Sequence, residues 1–126
     1  MRRFHHISFK HAWDGLVYIF ESQPNMRVHS LATILVLVAG FYFHITQTEW
    51  LILLFTIILV LITEMVNTSL ESMTDLITET YHKQAKITKD VSAAMVLIAA
   101  IASVAVGVTI FLPYLQQFLE IRSIRN

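Results

Sequence analysis

Five polar side chains on one helical stripe carry the chemistry this sequence could perform. Counting from Glu64, the residues Asn67, Thr68, Glu71 and Asp75 follow at three, four, seven and eleven positions. A helix of 3.6 residues per turn gathers those spacings on one face. The stripe follows directly on Trp50 to Ile62, thirteen residues in which Thr56 is the one polar side chain. At about 1.5 Å per residue that run makes about 20 Å of helix suited to lipid or a protein core. If a hydrocarbon layer about 30 Å thick begins near Trp50, Glu64 lies about two-thirds of the way across, Glu71 at the far edge and Asp75 among head groups. A charge at bilayer depth costs about 3 kcal/mol or more, so such groups face a partner, a cavity or an ion. A structural glutamate paired with a neighbouring helix would account for Glu64 alone but poorly for the whole ladder, which connects water to lipid depth.

Carboxylates with lysines close by are what Mg²⁺-nucleotide chemistry needs. Mg²⁺ takes one or two carboxylates plus phosphate oxygens, and phosphoryl transfer is mostly positioning and charge neutralisation. A carboxylate held away from water is a stronger base than one in solution and could take a proton from a hydroxyl; Glu64 is that candidate. A Walker A loop is excluded, because Gly15, Gly40 and Gly107 are the only glycines and none precedes a Lys-Ser or Lys-Thr pair.

The elements that must position these groups read as an all-α integral membrane protein in one domain. With 126 residues, 56% of them hydrophobic, and positive mean hydropathy, the apolar residues fall in long runs and not in the patterning of a soluble core. Residues 4–22 read as an amphipathic surface helix: Phe9, Ala12, Trp13, Leu16, Val17 and Phe20 recur at helical spacing between His5, His6, Lys10, His11 and Asp14. Pro24 then turns the chain. Spans are expected over 28–45, 50–75 and 91–112, with a loop over 76–87 and a stop at Pro113 and Tyr114 before a short polar tail. Gly107 and many alanines and serines in the third span allow close packing in lipid. His29 and His44, at the ends of the first span, read as interfacial.

Charge sets the orientation. Arg2, Arg3, Lys10 and Arg27 precede the first span, Lys83, Lys86 and Lys89 separate the second and third, and Arg122 and Arg125 alone oppose them. The N-terminus and the carboxylate end of the second span are therefore expected on the cytoplasmic side. Zero net charge and the lack of a dense basic block speak against a nucleic-acid partner. The absence of cysteine excludes disulfides and thiolate metal sites. Met1 to Gly15 has no apolar core or cleavage pattern of a signal peptide.

The segment Glu64-Met65-Val66-Asn67-Thr68-Ser69-Leu70-Glu71-Ser72-Met73-Thr74-Asp75 resembles the signature of the small prokaryotic diacylglycerol kinases, a family that includes undecaprenol kinases. Lys89-Asp90, fourteen residues after Asp75, opens a block through Leu97 that resembles the family's second motif. Tyr81-His82, Ala12 to Leu16 and Asn25 to His29 resemble further pieces, so the likeness runs over nearly the whole chain. It implies three spans and a surface helix, a homotrimer, and transfer of the ATP γ-phosphate to the primary hydroxyl of a membrane lipid, diacylglycerol or undecaprenol. By the same resemblance Glu64 is the catalytic base, Glu71 a Mg²⁺ ligand, and Asn67, Asp75, Tyr81, His82, Lys89 and Asp90 line the nucleotide. Read without the resemblance, Lys89 is a snorkelling lysine and Tyr81-His82 an ordinary loop.

This chain departs from the family at two places. Where the family has a second metal-binding glutamate, four residues before Arg27, stands Gln23, with Glu21 the nearest carboxylate; the family's surface-helix tyrosine is His11 here. A rival of another class is a small proton- or cation-coupled transporter that uses Glu64 as its carrier carboxylate and has no need of Glu71. A non-catalytic assembly subunit is a third reading, if the change at Gln23 had emptied the metal site.

Overall fold

The computed structural model describes residues 9–78 and 80–124, and among them every element is α-helical. The order is α1 (Phe9–Ser22), α2 (Pro24–Phe43), α3 (Gln47–Ile77) and α4 (Lys83–Ile124). The last three are long and apolar enough to cross a membrane, and α1 is the short amphipathic helix expected at the surface. Residues 4–8 of that expected helix, and the charges Arg2, Arg3 and Arg125, lie outside the described residues.

Local chemistry explains each junction. Pro24 occupies the first turn of α2, where its missing N–H costs nothing. The Arg27 side chain reaches back to the carbonyls of Phe20 and Glu21, covering the C-terminal end of α1 with a cation. His44 ends α2 in the left-handed region at φ 51°, and the Ile45 N–H returns to the Gly40 carbonyl at 3.2 Å. α3 opens with a capping box: the Thr46 N–H donates to Glu49 Oε2 at 2.7 Å and the Glu49 N–H donates to Thr46 Oγ1 at 3.3 Å.

α4 differs most from the sequence reading. It starts at Lys83 and continues through Pro113 to Ile124, so Lys86, Lys89 and Asp90 sit on a helix and not in or beside a loop, and the C-terminal tail is helical through Ile124. Gln84, Ala85 and Lys86 are good helix formers, no glycine or proline interrupts them, and Lys86 pairs with Asp90 one turn on. At Pro113 the helix continues because lipid offers the backbone no better partner than the next turn, so membrane helices absorb a proline that would end a soluble one.

α3 and α4 pack most extensively and run antiparallel. At one end Ile45, Leu53 and Ile110 form a buried cluster flanked by Trp50, Phe43 and Tyr114, and Tyr114 donates its hydroxyl to Glu49 Oε2 at 2.7 Å. At the other end stand the polar stripe of α3 and the surface helix. Most large apolar side chains on α2, α3 and α4 are exposed in the single chain, which suits contact with lipid or other membrane helices.

Gly40 is a pressure point of this frame. A Cβ there would come within 2.8 Å of Cη2 and 2.9 Å of Cζ2 of Trp50. That ring is itself packed on Phe41, with centroids 4.8 Å apart. Gly40→Ala is therefore expected to push Trp50 off its seat beside the Leu53 cluster and cost about 1–3 kcal/mol. A lowered thermal midpoint in detergent, followed by far-UV circular dichroism, is the check; an unchanged midpoint would contradict it.

Candidate active site

The α3 stripe grades from dry to wet along the helix. Glu64 is 1% exposed, Asn67 and Thr68 are buried, Glu71 is partly buried and Asp75 is exposed. Exposure thus follows the depth order expected from the spacing alone. Among the described residues, neither carboxylate oxygen of Glu64 meets a hydrogen-bond partner.

Seven residues on, Glu71 opens into a cleft of about 330 Å³ between the end of α1 and α3, lined by Tyr18, Gln23, Thr68, Glu71, Ser72 and Asp75. Gln23 faces this space because it is the N-cap of α2 yet makes no side-chain cap hydrogen bond. Asp75 Oδ1 takes a hydrogen bond from Lys89 Nζ at 2.5 Å, joining the rim of the cleft to α4. Two carboxylates, an amide and a lysine therefore meet at the exposed end of the stripe.

The remaining expected residues are distributed differently. Asn67 is held between helices, its Oδ1 accepting the Ser92 hydroxyl at 2.7 Å. His82 caps α4, its Nδ1 accepting the Gln84 N–H at 3.3 Å, and lines a separate groove with Leu70, Thr74, Ile77 and Thr88. Tyr81 is 82% exposed, and Asp90 pairs with Lys86. A single chain thus brings Glu71, Asp75 and Lys89 together beside Gln23 and leaves Tyr81, His82 and Asp90 apart from them. His11 lines a groove of about 690 Å³ between α1 and α3 that meets the cleft at Tyr18, whereas Glu21 lines neither space. Sequence reasoning missed Tyr18, although it stands two turns after His11 on the same side of α1, a periodicity that could have found it.

The donor set in the cleft suits a hard cation that arrives with its own oxygens. Among the described residues no three His, Cys, Asp or Glu converge into an all-protein cage. Mg²⁺ characteristically takes one or two carboxylates and completes its shell with water and phosphate. The fold and this site define an all-α membrane protein with a buried carboxylate above an open carboxylate cleft, a layout fit for phosphoryl transfer at a lipid surface.

The family described as "Prokaryotic diacylglycerol kinase" matches residues 10–111. A diacylglycerol kinase of Synechocystis sp. is 43% identical over 108 residues, covering 85% of this chain and 62% of that protein. An undecaprenol kinase of Bacillus subtilis is 36% identical over 108 residues, covering 86% of this chain and 88% of its own length. A diacylglycerol kinase of Escherichia coli K12 is 29% identical over 94 residues, covering 75% of this chain and 77% of that protein. The chain therefore spans less than two-thirds of the Synechocystis relative and most of the other two. It belongs to the prokaryotic diacylglycerol kinase family, whose members named here are kinases with a lipid alcohol as acceptor.

Proposed function

We propose that this chain is an ATP- and Mg²⁺-dependent lipid kinase that phosphorylates the primary hydroxyl of diacylglycerol to phosphatidic acid. The observation that carries the reading is the pairing, on one face of α3, of a buried carboxylate with an open carboxylate cleft. Family membership supports it. Glu64 is the base: its depth suits a hydroxyl held at the lipid boundary, whose proton it takes as the oxygen attacks the γ-phosphorus and ADP leaves. Glu71, with Asp75 and the Gln23 amide at hand, holds Mg²⁺, which when bound neutralises phosphate charge. Lys89, tied to Asp75, faces the same phosphates, and Asn67, by its bond to Ser92, fixes α3 against α4 beneath them. Tyr81, His82 and Asp90 are assigned to the nucleotide by resemblance. In a homotrimer, the assembly the resemblance implies, a neighbouring copy could supply the groove that His82 lines.

Undecaprenol is the second acceptor to test, favoured by the Bacillus subtilis relative, of which this chain covers 88%. Both lipids present a primary hydroxyl at the interface and differ in the tails that the bilayer holds. We place the protein in the bacterial inner membrane with the N-terminus and cleft cytoplasmic, as the loop lysines favour.

The test is transfer of labelled γ-phosphate from Mg²⁺-ATP in mixed micelles, with diacylglycerol and undecaprenol offered in parallel. Labelled lipid that depends on Mg²⁺ is expected, and the faster acceptor names the substrate. No label in either lipid from folded protein would overturn the kinase reading and favour the transporter.

A further inference from the structure

The charges at the cleft sit on two helices: Glu71 and Asp75 on α3, and Lys89, which pairs with Asp75, on α4. That pair is a weak tie. Its side chains are 40% (Lys89) and 65% (Asp75) exposed, and an ion pair open to water does little to hold two helices in place. It must also open if the ammonium group is to face a phosphate. The register of α4 against α3 beside the cleft therefore needs a second fastening.

Ser92 supplies one. It is 2% exposed, and its hydroxyl donates to Asn67 Oδ1 at 2.7 Å and to the Lys89 carbonyl at 3.0 Å. A hydroxyl has one hydrogen, so this is a three-centre bond shared between two carbonyl oxygens. A helical serine that bonds only the carbonyl three residues back fixes nothing outside its own helix. Here the same hydrogen reaches α3, which ties the backbone of the turn that begins at Lys89 to Asn67. Of the side-chain hydrogen bonds between α3 and α4 among the described residues, Lys89 to Asp75 is exposed and Tyr114 to Glu49 lies at the far end of the pair. Ser92 to Asn67 joins two buried groups. Asn67 stands four residues before Glu71 and eight before Asp75, and Lys89 stands three before Ser92. In this antiparallel pair the buried bond thus lies about one turn deeper than both Glu71 and Lys89. Sheltered from water, it holds where the surface pair yields.

We propose that Ser92 is a positioning residue for Lys89: its buried hydroxyl pins α4 to Asn67 of α3, so that the ammonium group, on leaving Asp75, stays over the cleft and meets the phosphates of the nucleotide. This rests on the reading of the cleft as the phosphate site.

Ser92→Ala is expected to weaken binding of Mg²⁺-ATP roughly fivefold, the scale of one interhelical hydrogen bond. In Lys89→Met, which has no ammonium group to aim, the same change should cost less than about twofold. The readout is displacement of a fluorescent ATP analogue from the full chain in detergent micelles, with a thermal midpoint for each variant. Equal losses in the two backgrounds are what a merely structural serine gives, and they would overturn the proposal, as would unchanged binding after Ser92→Ala. Alanine is the better helix former, so the fold should persist; an unfolded Ser92→Ala chain would assign the bond to stability alone and overturn the role too. Ser92→Thr keeps the hydroxyl and should bind within about twofold of wild type; a loss equal to that of alanine counts against the hydroxyl. Coupling between Ser92 and Lys89 in a protein that transfers no phosphate to lipid would overturn the kinase reading and leave the role of Ser92 standing. Lipid phosphorylation without that coupling would do the reverse.

Discussion

Glu64→Gln is expected to cut phosphoryl transfer by roughly 10²- to 10⁴-fold while Mg²⁺-ATP still binds, because a positioned general base contributes on that scale and an amide accepts no proton. Burial makes this a clean substitution. Glu64 is 1% exposed, and its carboxylate oxygens make no hydrogen bond among the described residues whose loss could unfold the protein. An uncharged isostere relieves a desolvated acid, so the variant should be as stable as wild type or more so. The measurement is single-turnover transfer from labelled ATP, paired with displacement of a fluorescent nucleotide and a thermal midpoint. A residual rate within about tenfold of wild type would rule Glu64 out as the base.

Glu71→Gln should act on the metal and leave the fold intact. It removes one of two carboxylates from a cleft whose third nearby oxygen donor, Gln23, is already neutral. The Mg²⁺ concentration for half-maximal rate is expected to rise roughly tenfold or more, with turnover partly regained at high Mg²⁺. Gln23→Glu should move the same titration the other way, since it adds a charge where the N-cap side chain is otherwise unused. An unchanged Mg²⁺ titration in Glu71→Gln would sink the metal role and favour a transporter, which needs Glu64 and can dispense with Glu71.

The stripe itself was legible from spacing. Five polar residues between apolar ones can share a face only if the segment is one helix, and the graded exposure from Glu64 to Asp75 reflects how far the neighbouring helices cover that face. The start of α4 was less legible. Lysine-rich sequence reads as a loop by charge, yet Lys86 and Asp90 support a helix once the turn that joins them has formed. Pro113 misled for the opposite reason, since its cost to a helix is set by the solvent around it, and lipid changes that cost.

The sequence by itself determined the class of fold, the three membrane-length helices with their short amphipathic helix, and the placing of the two glutamates on one face of α3, because each depends only on residues within a few turns of one another. Tertiary structure alone decided which distant residues meet them. That Gln23 shares the cleft with Glu71 while Glu21 does not, that Asp75 meets Lys89, that Asn67 is engaged by Ser92, and that His82 caps α4 away from the cleft all depend on how α1, α2 and α4 rotate against α3. Such rotations are fixed by side-chain packing between elements far apart in the chain, and periodicity within one helix carries no information about them.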